Sequence, residues 1–75
     1  MIKPADKKLL KKLGEHISSL RQQKKMSLRD VSYACNIDNS KISKIEKGQI
    51  NITFTTMQQL AEALEVSLPE LLNYK

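Results

Sequence analysis

Apolar residues recur at helical spacing in successive stretches of this chain, and each stretch is punctuated by a residue suited to starting or stopping a helix. In DKKLLKKLGEHISSLRQQKK, Leu10, Leu13, Ile17 and Leu20 form one stripe. Gly14 interrupts it at a cost of about 1 kcal/mol relative to Ala, which predicts a close approach by another helix there. Ser27 and Asp30 have the spacing of a capping box and open a short helix over roughly 28–35, with Val31, Ala34 and Cys35 expected inward. Asn36 tolerates a left-handed backbone, and Asp38 is a good N-cap for a third helix, which Gly48 ends.

After the loop QINIT, Thr53 caps a fourth helix with the stripe Phe54, Met57, Leu60, Ala61 and Leu64. Ser67-Leu68-Pro69-Glu70 is a second capping box, with Pro in the first turn, where a missing N–H does little harm. The short fifth helix carries Leu68, Leu71 and Leu72. The pattern predicts an all-α domain of five helices over residues 1–75, with no strands, repeats or dividing linker.

The third helix carries the informative surface. At about 100° per residue from Lys41, Ile45 lies near 40° and Ile42 near 100°, which sets the buried side. The opposite side holds Ser40, Ser43, Lys44 and Lys47, flanked by Asn39 and Lys41, with no carboxylate at its centre. A face serving solubility alone usually mixes Glu with Lys four residues apart. Short Ser and Asn groups among cations also allow close approach to an anionic groove.

Charge agrees with that reading. The 75 residues carry thirteen basic and eight acidic side chains, net +5. Residues 1–51 hold a net +7 and residues 52–75 a net −2, which points to a polyanion on one side of the domain and a different contact on the other. No apolar run reaches the ~20 residues of a membrane span, and the N-terminus lacks the apolar segment of a signal peptide. A single cysteine excludes an internal disulfide and suits a reducing cytoplasm.

Two short helices joined by an Asn-containing turn, the second with such a face, make a helix-turn-helix over about 27–48. SLRDVSYACNIDNSKISKIEKG resembles the helix-turn-helix of the λ-repressor-like (Cro/cI, XRE) DNA-binding proteins. The similarity runs from about Leu13 to Leu72 and includes G-x-x-I-x-x-L-R in helix 1, N-x-T-F-x-T-M at the entry to helix 4, and ALEVSLPELL.

The resemblance implies a λ-repressor-like fold and a sequence-specific double-stranded DNA-binding transcriptional regulator, of repressor or restriction–modification controller type. Asn39, Ser40, Ser43 and Lys44 match base-reading positions, with Lys44 suited to guanine and Asn39 to adenine. Ser27, through its backbone N–H, matches a phosphate clamp, and Arg29, Lys41, Lys47, Gln49 and Asn51 are further phosphate contacts. Arg21 and Glu46 match an ion pair between helices 1 and 3. Ile17, Val31, Ile37, Ile42, Ile45, Phe54, Leu60 and Leu64 match core positions. Three positions depart from the family: Leu28 where Gln is common, Asn36 for the turn Gly, and Asp38 for Ser or Thr.

Leu68, Leu71, Leu72 and Tyr74 exceed what the core obviously needs and are expected to form a homodimer interface, with helices 4–5 over about 53–73. Two recognition helices would then sit about 34 Å apart on a palindromic operator. An antitoxin with a toxin partner is one alternative, and an adaptor that binds protein rather than DNA is another. Cys35 reads as an inert core thiol and His16 as a surface residue without metal partners. Tyr33 suits phosphate contact or packing on helix 2 equally. Lys7, Lys8, Lys11 and Lys12 read as a solvated face that attracts a polyanion from a distance. No nucleophile–base pair, phosphate loop or carboxylate pair supports an enzyme, and no cofactor or metal is expected.

Overall fold

The computed structural model describes residues 4–73, and these form five helices: α1 (Pro4–Gln23), α2 (Leu28–Cys35), α3 (Asn39–Glu46), α4 (Phe54–Ala63) and α5 (Leu68–Leu71). No strand occurs among the described residues, as the periodicity expects. The core is built from Leu13, Ile17 and Leu20 of α1, Val31 and Cys35 of α2, Ile42 and Ile45 of α3, Leu60, Ala61 and Ala63 of α4, closed by Ile37, Leu64 and Leu71. Leu28 packs against this core. That accounts for a Leu where related helices place Gln: the side chain adds apolar burial.

Local hydrogen bonds start each of the four helices from α2 onward. Ser27 Oγ accepts from the Asp30 N–H at 3.0 Å, and Asp30 Oδ2 accepts from the Ser27 N–H at 2.8 Å, completing the capping box. Asp38 Oδ2 accepts from the Ser40 N–H at 3.1 Å. Thr53 Oγ1 accepts from the Thr56 N–H at 3.2 Å and donates to Thr56 Oγ1 at 3.0 Å, which satisfies the buried Thr56 hydroxyl. Ser67 Oγ accepts from the Glu70 N–H at 3.2 Å.

Helix ends are where the sequence was less explicit. Asn36 is left-handed at φ 58°, and Gly48 at φ 69°, as expected. Lys25 and Glu65 are left-handed too, at φ 58° and 59°. Each sits just past a helix whose last carbonyls are taken by the paired bonds of a Schellman end: Met26 N–H to Arg21 O at 3.1 Å, and Val66 N–H to Ala61 O at 3.0 Å. Burial of Met26 and Val66 against the core offsets the strain at these non-glycine residues.

Three expectations about burial need correcting. Phe54 is 65% exposed rather than in the core. As the first residue of α4 it points about 120° round from Leu60, and the buried stripe starts instead at Thr56. Ala34 is exposed, because Leu28, Val31 and Cys35 set the inward side of α2 and Ala34 lies about 90° off their centre. Leu71 is 0% exposed and belongs to the core of this chain, so it has no surface left for a second subunit. Leu72 remains exposed and Leu68 half-buried, while Tyr74 lies outside the described residues.

α1 and α3 touch backbone to backbone. A Cβ on Gly14 would collide with the Ile45 carbonyl and stand 2.5 Å from the Glu46 oxygen. A Cβ on Gly48 would stand 2.7 Å from Lys11 Cα. Only glycine lets α1 lie this close along the C-terminal half of α3. His16, expected as a plain surface residue, donates from Nε2 to the Glu70 carbonyl at 3.0 Å and ties α1 to α5.

Candidate nucleic-acid interface

The orientation of α3 follows from two side chains. Ile42 and Ile45 are 0% and 3% exposed, so the remaining residues have no choice of face. Asn39, Ser40, Lys41, Lys44 and Lys47 are exposed, and Ser43 is half-buried. Gln49 and Asn51 continue this exposed polar surface beyond the helix end. The Asn51 carboxamide oxygen accepts from the Ile52 N–H at 3.2 Å.

Glu46 is the carboxylate that does not belong on such a surface, and it is turned away from it. Arg21 Nε donates to Glu46 Oε2 at 2.8 Å and Nη2 donates to Oε1 at 3.2 Å, a two-point fork from α1 to α3. Nη1 of the same guanidinium donates to the Met26 carbonyl at 2.9 Å, immediately before the α2 cap. One side chain thus joins α1, the entry of α2 and the end of α3. Nothing in local spacing announces the Met26 contact, because it joins α1 to the segment before α2.

The α2 entrance differs from expectation in one respect. The Ser27 N–H, matched to a phosphate clamp, is already taken by the Asp30 carboxylate. An anion arriving at this helix end would meet the Leu28 and Arg29 N–H groups, which have no hydrogen-bond partner among the described residues. Arg29 is exposed there. Asp30, in turn, is held below its ordinary value of 3.8 by the Ser27 backbone N–H first and the Ser27 hydroxyl second. It therefore stays ionised, and its charge opposes an anion placed directly over Ser27.

No group of three or more His, Cys, Asp or Glu side chains able to hold a metal occurs among the described residues. Cys35 is buried. Tyr33 is 82% exposed, which removes packing on α2 as an account of it. No helix among the described residues is long and apolar enough to cross a membrane.

Comparison with known proteins places these features. Residues 17–71 match a family model described as helix-turn-helix. The chain is 33% identical over 61 residues to the HTH-type transcriptional regulator DdrOP3 of Deinococcus deserti, covering 81% of this chain and 47% of that protein. It therefore spans about half the length of this curated relative. Among solved structures it is similar to the restriction-modification controller protein C.AhdI from Aeromonas hydrophila, with a TM-score of 0.81 and 31% identity, covering 83% of this chain and 94% of that one. It is also similar to the controller protein C.Esp1396I, solved as a tetramer in complex with its natural 35 base-pair operator, with a TM-score of 0.75 and 32% identity over 87% of this chain and 96% of that one.

Proposed function

The chain belongs to the helix-turn-helix family, and on that premise we propose that it is a sequence-specific double-stranded DNA-binding transcriptional regulator of the repressor or restriction–modification controller type. The observation that carries this reading is the exposed face of α3. Ile42 and Ile45 anchor the helix, the Arg21 fork holds Glu46 aside, and Asn39, Ser40 and Lys44 are left outward.

On this reading α3 enters the major groove. Lys44 donates to guanine O6 or N7, Asn39 makes a two-point contact with adenine, and Ser40 and Ser43 contact base edges at close range. Arg29, Lys41, Lys47, Gln49 and Asn51 hold phosphates, together with the N–H groups at the start of α2. The protein works in the cytoplasm as a homodimer on a palindromic operator, with half-sites about one helical turn apart. Exposed Leu72 and Phe54 and half-buried Leu68 supply apolar surface for the second subunit.

Selection of bound sites from a random duplex pool tests the reading. Enrichment of a palindrome is the expected result, and it gives the base preference and half-site spacing together. Failure to enrich any sequence, with no salt-sensitive duplex binding, would overturn it.

A further inference from the structure

The N-terminal three turns of α1 precede the part of the chain that matches the helix-turn-helix family, which starts at residue 17. They carry Lys7, Lys8, Lys11 and Lys12, all exposed and none in an ion pair among the described residues. We infer that two of the four, Lys7 and Lys11, are direct DNA phosphate contacts that extend the interface past the end of α3, whereas Lys8 and Lys12 are not. This inference rests on the DNA-binding function proposed above and adds a contact surface to it.

The turn at Gly48 makes the distinction. Its missing Cβ would stand 2.7 Å from both the N and Cα of Lys11 and 3.1 Å from the Leu10 carbonyl carbon. The α1 backbone at Lys11 is therefore held against the turn that ends α3, one residue beyond Lys47. At about 100° per residue from Lys11, Gly14 lies near 300°, Arg21 near 280° and Lys7 near 320°. Gly14 and Arg21 both meet α3 from this side, so Lys7 continues the same flank one turn on, about 6 Å along the axis.

Lys8 and Lys12 point elsewhere. They lie near 60° and 100° on the same scale, turned toward the side of His16 near 140°. His16 bonds to Glu70 of α5, which identifies that flank as the one away from α3. Lys47, Lys11 and Lys7 thus form a strip running off the C-terminal end of α3. The carboxylate closest to it in α3, Glu46, is already occupied by Arg21. A duplex presents about one negative charge per 1.7 Å of its axis, so a strip continuing from α3 meets phosphates flanking the bases that α3 reads.

Two double variants of the full chain with equal charge change test this: Lys7→Gln with Lys11→Gln, and Lys8→Gln with Lys12→Gln. Binding to the selected operator and to a random duplex is measured across a salt series, with helicity checked by circular dichroism. Loss of two phosphate contacts is expected to flatten the log K against log salt slope by about 1.8 in the first variant. The second variant is expected to keep the wild-type slope. Equal flattening in both, or in neither, would overturn the inference and leave the proposed function intact. If the wild-type chain shows no salt-dependent duplex binding, the proposed function falls and this inference with it.

Discussion

Arg21 of α1 grips Glu46 of α3 through two hydrogen bonds, of 2.8 and 3.2 Å, with the side chains only 16% and 10% exposed. The same guanidinium holds the Met26 carbonyl, so it ties the entry of α2 to α1 and to the end of α3. Removing one partner strands the other in a poorly solvated place. Glu46→Ala should destabilise the fold by about 2–3 kcal/mol in urea unfolding. Arg21→Lys should recover little of an Arg21→Ala loss, because an ammonium cannot make the fork. Full recovery by Lys would show that charge alone matters there.

Gly14→Ala ought to stabilise an isolated helix by about 1 kcal/mol. In this protein the added methyl would drive into the carbonyls of Ile45 and Glu46. The expected outcome is a net loss of about 2 kcal/mol in urea unfolding, together with weakened operator binding as α3 is displaced. A stabilised Gly14→Ala would show that α1 and α3 separate freely.

The capping box gives stability a definite pH dependence. Asp30 has its folded-state pKa lowered by the Ser27 N–H, so its contribution is fully present above 3.8 and is lost as pH falls from there through the lower folded value. Asp30→Asn should melt below wild type at neutral pH, and the gap should close progressively in acid. A gap that is constant from pH 7 down to pH 2 would count against the ionised carboxylate as its source.

Lys44→Ala should relax base preference at one operator position, by about 1–3 kcal/mol of discrimination. Lys47→Ala should weaken binding to every sequence alike and reduce the salt slope by about 0.9. Competition between operator and random duplex separates the two effects. Indistinguishable losses from both variants would remove the assigned roles.

Leu71 and Leu72 are neighbours with opposite expected behaviour. Leu71 is fully buried, so Leu71→Ala should cost about 2–5 kcal/mol of folding stability. Leu72 is exposed, and Leu72→Asp should change stability by no more than about 0.5 kcal/mol while shifting the sedimentation coefficient toward the monomer. An unchanged sedimentation profile would count against Leu72 as part of the proposed homodimer interface.

Much of this was legible in the chain before any fold was known, because it depends on neighbours three or four residues apart. The caps at Ser27, Asp38, Thr53 and Ser67 bond within their own first turns. Ile42 and Ile45 set the direction of α3 by spacing alone, which left Asn39, Ser40 and Lys44 outward. Other features could not be seen that way. Phe54 has the right chemistry for a core but stands where no element covers it, and Leu71 rather than Leu72 meets the core because α5 docks at one particular angle.

Lys25 and Glu65 adopt left-handed backbones that their identities do not suggest, since burial of the residue after each one decides the turn. The bonds from Arg21 to Met26 and from His16 to Glu70, and the seating of Lys11 on Gly48, join segments that local periodicity treats as unrelated. Helix positions and faces follow from short-range hydrogen bonding and periodic burial, which each segment carries within itself. Which faces meet, and therefore which lysines can stand beside α3, depends on how closely α1 can approach it, and that is decided only when Gly14 meets the carbonyls that end α3 and Gly48 meets the α1 backbone at Lys11.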